Sequence, residues 1–213
     1  AERAYQQSLA YALERTQGRS AWTGAYPSRL FDHPDVRRTL MLMKARINAA
    51  RAICLATAVA ADVARTAGNP VDRDAAKFRE EILTPIAKAW STDLGVEAAS
   101  MGLQIHGGAG FIEETGAAQH YRDARILPIY EGTNGIQAMD LVGRKLAMNG
   151  GRGIQLFFKI VAEEAAAAKS NPALADFATR LEKALGEQQA RMPTGRRHDE
   201  IRRSGRDPRP SAS

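Results

Sequence analysis

Residues 34–70 read PDVRRTLMLMKARINAARAICLATAVAADVARTAGNP, and this stretch decides the fold class. Val36, Leu40, Met43, Ile47, Cys54, Ala58 and Ala61 keep a helical spacing along it. Apolar residues at that period form the buried stripe of an amphipathic α-helix. Pro34 suits the first helical turn, where its fixed φ is already helical and its missing N–H needs no partner. Gly68-Asn69-Pro70 stops the run. The spacing predicts one long helix with Cys54 as a packed core thiol rather than a nucleophile.

The same period recurs on both sides. Residues 2–18 read as the end of a helix, with Ala4, Leu9, Ala12 and Leu13 on one side and Gly18 as a possible cap. No capping residue precedes it, which suggests either that the element began upstream or that its amino terminus is frayed. Residues 19–34 hold Gly24, Pro27 and Pro34 and form a connection. A third helix starts near Asp72, with Phe78, Ile82, Ile86, Ala89, Val96, Ala99 and Leu103 as its stripe. Pro85 predicts a kink or local break inside it. Gly107-Gly108-Ala109-Gly110 ends it. Residues 117–125 form a short helix stopped by Pro128. Thr133 or Asn134 can cap a fourth long helix whose inner side carries Ile136, Met139, Leu141, Val142 and Leu146. Residues 154–169 and 173–190 give two further helices. No segment alternates with period two, so the expected fold is all-α: an antiparallel bundle of about four long helices, extra carboxyl-terminal helices and a disordered tail.

Composition agrees. Of 213 residues, 44% are hydrophobic, 25% charged and only 6% aromatic, which is normal for a globular protein and excludes a chain disordered throughout. No run approaches 18 consecutive apolar residues, so no membrane span is expected. One cysteine permits neither an internal disulfide nor a cysteine zinc site, and a reducing, cytoplasmic setting is the default. The net charge of +6 lies mostly in residues 191–213, which hold seven arginines and three acids. The body is nearly balanced, and the tail has no interleaved aromatics for base stacking, which argues against nucleic acid. The expected divisions are 1–150, an extra helical segment 151–190, and a basic tail 191–213.

Chemistry concentrates between Gln104 and Leu146. Glu131 lies after Pro128-Ile129-Tyr130 and before Gly132-Thr133. A carboxylate beside a helix amino terminus is stabilised by the dipole, which alone would account for it. The alternative is a general base whose apolar flanks, Ile129 and Tyr130, raise its pKa by desolvation. Gly107-Gly108 can bring backbone N–H groups to phosphate oxygens, or serve as a turn; no P-loop or dinucleotide fingerprint surrounds them. Arg15 suits a helix carboxyl end or a phosphate. Arg122 and Asp123 can pair with each other or with neighbours, a structural role. The four histidines lack metal-ligand spacing.

The run QIHGGAGFIEETGAAQHYRDARILPIYEGTNGIQ resembles the carboxyl-terminal helical domain of the acyl-CoA dehydrogenases, and LAYALERTQGR resembles the start of that domain. The resemblance covers about residues 2–150, and residues 152–190 look like an extra segment found in larger members. It implies FAD-dependent dehydrogenation of an acyl-CoA thioester to a trans-2-enoyl-CoA, with electrons passing to an electron-transferring flavoprotein. Glu131 would be the base, with Tyr130 and Gly132 beside the thioester and Thr133 at the flavin. Arg15 would reach the FAD pyrophosphate of a neighbouring subunit. Gln104, Ile105, His106, Gly107 and Gly108 would hold the adenosine-diphosphate part across the dimer. The implied assembly is a homodimer or tetramer, or a hetero-oligomer with a chain supplying the family's two earlier domains. The alternative is a non-catalytic helical module or remnant whose basic tail binds nucleic acid.

Overall fold

The computed structural model describes residues 1–130 and 132–192. Glu131 and the tail from Pro193 onward lie outside the described residues. The described chain is helical, and its one pairing of extended backbone is an isolated bridge between Thr16 and Arg29.

Three helices make the core: α1 (Glu2–Glu14), α2 (Pro34–Thr66) and α3 (Pro70–His106). Pro34 opens α2 at its first helical position. Asn69 caps α3, its Oδ1 accepting from the Val71 N–H at 2.9 Å. α2 runs antiparallel to both neighbours. Arg51 of α2 pairs with Glu2 at the start of α1, and the Leu30 N–H donates to the Arg15 carbonyl at its end. Arg46 pairs with Glu97 of α3, and Cys54 lies beside Ser91. α1 and α3 therefore run parallel: Ala4 packs with Ala99, and Tyr11 stacks on His106 at 4.5 Å. Ala12, Leu40, Met43, Ile47, Leu94, Ala98 and Ile105 fill the space between them.

The apolar stripe of α2 is buried only in part. Leu40, Met43 and Ile47 are buried, but Cys54 is exposed and is not a core thiol. Ala58 is exposed as well. Leu40, Met43 and Ile47 are the residues that pack between α1 and α3. Arg51, paired with Glu2 in the first turn of α1, marks where that contact stops among the described residues. An 18-residue window of α2 has mean hydropathy 1.4, long and apolar enough by those measures to cross a membrane, which a search for unbroken apolar runs misses. Its first half has a packing account in the core above.

α3 continues as one helix through Pro85, which is buried; the expected local break does not occur. Gly107, with φ 59°, ends it. A single turn, α4 (Gly108–Phe111), leads to α5 (Ala117–Arg125), whose Ala124 packs against Ala4 and Ala99. Of the two expected alternatives, Arg122 and Asp123 take the second and pair with neighbours: each bonds Gln119, and Arg122 faces Glu113.

The expected fourth long helix is shorter. α6 covers Thr133–Asp140 and passes into a π-helical turn at Leu141–Lys145, closed by the Leu146 N–H on the Leu141 carbonyl at 3.0 Å. Its presumed inner residues Ile136, Met139 and Val142 are exposed. Asn149, Gly150 and Gly151 all take positive φ before α7 (Arg152–Ala168). Two compact units divide at Leu156–Phe157. In the second, α8 (Ala175–Arg191) is tied back to the end of α7 by a Lys169–Glu182 ion pair.

Candidate functional site

The anticipated site residues fall into two groups along α3. The first lies at the α3 carboxyl end. Gln104, Gly107 and Gly108 are exposed there, whereas Ile105 and His106 turn inward. His106 is buried, stacks on Tyr11 and bonds the Gly102 carbonyl through Nδ1 at 2.7 Å, so only its backbone is presented outward. Arg15 follows Tyr11 by one helical turn and shares this end of the bundle. Its guanidinium is exposed and has no hydrogen bond or ion pair among the described residues. The loop at Gly107 is braced from behind. Thr115 Oγ donates to the Ala109 carbonyl at 2.7 Å, and Gln7 of α1 donates to the Thr115 carbonyl at 2.6 Å. His120 meets Gln7 Oε1 through Nε2 at 3.0 Å, which assigns the Nε2 proton to the histidine. Burial pushes the His120 pKa down, aided by the amino-terminal charge and Arg3.

An open apolar cleft of about 280 Å³, lined by Trp22, Pro34, Arg37, Arg38 and Met41, lies at the α2 amino terminus. Arg37 sits over the Trp22 and Phe31 rings at 6.0 and 5.3 Å.

The second group lies further back along α3. Residues 126–130 fold into successive turns, with the Tyr130 N–H on the Ile126 carbonyl at 3.1 Å. Gly132 follows at φ 90°, a conformation that favours glycine, and a Cβ there would lie 3.3 Å from Ile136 Cγ1. Thr133 takes φ 70°, costly for a β-branched residue, on the order of 1–3 kcal/mol. Neither Thr133 nor Asn134 caps α6 with its side chain; Gly132 occupies the cap position. Asn134 reaches α3 instead. A cleft of about 70 Å³ opens between these turns and α3, lined by Lys88, Thr92, Leu127, Tyr130, Thr133, Asn134 and Gln137. Ligand pockets run to several hundred Å³, so this is one wall of a site rather than an enclosed one. Its apolar flanks do not dry it either, since Ile129 and Tyr130 are 47% and 51% exposed.

Thr92 and His106 are fourteen positions apart on α3, roughly 20 Å along its axis. The two groups thus belong to separate surfaces, which fits two bound molecules or one long one. Sequence reasoning missed Lys88, Thr92 and Gln137. The available signal was polar spacing: Lys88 with Thr92, and Thr133 with Gln137, each four apart on a helix face outside the apolar stripe. No cluster of metal-ligating side chains occurs among the described residues.

Comparison with known proteins identifies the family. Residues 1–146 match the family described as acyl-CoA dehydrogenase, C-terminal domain. The 3-methylmercaptopropionyl-CoA dehydrogenase of Ruegeria pomeroyi is 45% identical over 98% of this chain and 35% of its own length. Butyryl-CoA dehydrogenase from Megasphaera elsdenii superposes with a TM-score of 0.50 at 29% identity, over 68% of this chain and 32% of that one. Caenorhabditis elegans ACDH-11 in complex with C11-CoA shares the fold, with a TM-score of 0.74 at 21% identity over 88% of this chain and 30% of that one. The chain spans about a third of the length of such relatives. By its matched residues and its helical architecture, the chain belongs to the acyl-CoA dehydrogenase family, of which it carries the C-terminal domain.

Proposed function

We propose that this chain forms the catalytic wall of an FAD-dependent acyl-CoA dehydrogenase that converts a thioester to its trans-2-enoyl-CoA, with Glu131 as general base. One observation carries the reading: Tyr130 and Thr133, which flank Glu131 in sequence, border a cleft against α3 in a chain whose residues 1–146 match the family's C-terminal domain. The role of Glu131 is to take the α proton of the thioester. Tyr130 and Gly132 lie on either side of it in sequence and would contact the substrate. Because Ile129 and Tyr130 are half exposed, water must be driven from the base by the substrate and by the rest of the enzyme.

The residues present fit FAD. Arg15 offers an exposed guanidinium, unpaired among the described residues and suited to a pyrophosphate. Gln104 and the Gly107-Gly108 backbone lie exposed at the same end of the bundle, beside Ile105 and His106, and Thr133 stands at the other group. When bound, FAD supplies the acceptor for the hydride that leaves the β carbon. The roughly 20 Å between the groups favours Arg15 and Gln104–Gly108 serving the cofactor of a second copy, in a homodimer or tetramer, or in a hetero-oligomer. An electron-transferring flavoprotein is the proposed electron acceptor, and the cytoplasm the proposed location.

Glu131→Gln, measured in the flavin-loaded enzyme containing this chain, tests the base. The expected result is a fall in turnover of about 100- to 10,000-fold with the flavin absorbance retained. Undiminished turnover removes Glu131 from that role.

A further inference from the structure

We propose that Asn134 is a positioning residue for this dehydrogenation, fastening the segment that carries Glu131 to α3; the inference rests on the acyl-CoA dehydrogenase reading above. The Asn134 amide nitrogen lies 3.0 Å from the Ala89 carbonyl, 3.0 Å from Thr92 Oγ and 2.8 Å from Asp93 Oδ1. Its two hydrogens therefore face three acceptors on one stretch of α3. The Thr92 hydroxyl is in turn 3.2 Å from Asn134 Oδ1. The same residue closes the loop through its backbone, its N–H donating to the Pro128 carbonyl at 3.1 Å.

One residue thus performs two tasks. The main-chain bond joins the two ends of residues 128–134, and the side chain fixes that closed segment to the longest helix of the bundle. Glu131 lies inside the segment by sequence. Between it and the anchor stand Gly132 at φ 90° and Thr133 at φ 70°, a backbone path that needs an external tie to persist. Asn134 itself only half lines the cleft and donates its amide to protein acceptors, so it acts through the segment rather than on the substrate. Aspartate at this position would turn a carboxylate toward the Asp93 carboxylate and the Ala89 carbonyl, leaving acceptors opposed to acceptors.

The test is kinetic, in the flavin-loaded enzyme containing this chain. Asn134→Asp should lower kcat about 100-fold through misplacement of the base, with KM unchanged and flavin absorbance retained. The isotope effect on kcat with α-deuterated acyl-CoA should rise, because proton removal becomes slower relative to the other steps. The pair N134D/D93N restores a donor opposite an acceptor and should recover about tenfold of the loss. If N134D loses its flavin, Asn134→Ala decides instead: the same loss of kcat at unchanged KM supports the role, and a wild-type kcat overturns it. As a readout independent of turnover, deuterium uptake at residues 126–138 of the chain should speed up in either variant, while α2 stays protected. Unchanged uptake there overturns the tie. An active wild type with an unaffected N134D overturns the positioning role alone. A flavin-loaded wild type that dehydrogenates no acyl-CoA overturns the functional reading and this role with it.

Discussion

α2 and α6 look alike as sequence and differ as structure. Leu40, Met43 and Ile47 of α2 are 3%, 0% and 6% exposed, whereas Ile136, Met139 and Val142, on α6 and the turn after it, are 49%, 69% and 58% exposed. Both sets keep a helical period, and both read as an inner face. The period records that a face is apolar; it does not say what covers it. For the start of α2 the cover is α1 and α3, within this chain. For α6 no described residue of this chain supplies it. Of α6, Thr133, Asn134 and Gln137 line the cleft that also holds Tyr130, and the exposed apolar set does not. An exposed apolar face of this size is unusual for a surface with no partner, and this chain spans about a third of its relatives' length.

The strongest way to break this comparison is to truncate one methionine from each face. Met43→Ala should cost about 2–5 kcal/mol, because the site is fully enclosed and cannot collapse around the void. Met139→Ala should change stability by no more than about 0.5 kcal/mol in this chain. Urea unfolding of the two variants measures both. Equal losses would mean that α6 is covered in solution and that the contrast in exposure is false.

The bundle was legible because its helices carry their own punctuation. Pro34, Asn69-Pro70, Gly107 and the Asn149-Gly150-Gly151 run stand where the chain must start or stop a helix, and each boundary followed from backbone chemistry local to it. What was not legible depended on neighbours. Cys54 lies on a correct stripe, but it is exposed, and the core residues of that stripe are those facing α1 and α3. Pro85 is absorbed because α3 is packed on both sides of it, with Ile82, Leu83 and Ala87 buried. The site divided the same way. Gly132 was legible as a glycine beside Glu131, while its φ of 90° emerges only with the turn that carries it. The use of Asn134 as an anchor rather than a cap depends on Ala89, Thr92 and Asp93, more than forty positions earlier in the chain.

A smaller effect separates two glycines of one loop. A Cβ on Gly110 would run into the Leu103 carbonyl and lie 3.0 Å from His106 Cβ, whereas nothing stands within 4 Å of one on Gly108. Gly110→Ala should destabilise by about 1–3 kcal/mol. Gly108→Ala should leave stability within about 0.5 kcal/mol, and its effect should appear as weaker flavin retention. Thermal melts of the chain, paired with flavin absorbance of the loaded enzyme, separate the two roles. A Gly108→Ala variant that melts early but keeps its flavin would assign that residue to packing.

The smallest effect concerns pH and contrasts the braced loop with the free face of α6. His120 is held below the ordinary histidine pKa by burial, with the amino-terminal charge and Arg3 adding to the shift. A lowered histidine pKa means that the unfolded chain binds the proton more readily than the folded one. Stability is therefore full above the ordinary value, near about 6.5, and declines as pH falls from there toward the depressed folded value. His120 is only partly buried, so the contribution is under about 1 kcal/mol after solvent screening. At the end of α6 the Asp140 carboxyl is lowered by its hydrogen bond to Arg144, so acid weakens that pair too, but only in the lower carboxylate range. Urea midpoints at pH 7.5 and 5.5 should fall for the wild type and stay more nearly level for His120→Gln, which keeps a donor for Gln7. The loss should be concentrated where Gln7 joins Thr115 and the Gly107 loop, visible as faster deuterium uptake at residues 107–116. Parallel declines in the two proteins would show that His120 is not the group through which acid loosens that loop, and would leave Gln7 and Thr115 as its pH-independent brace.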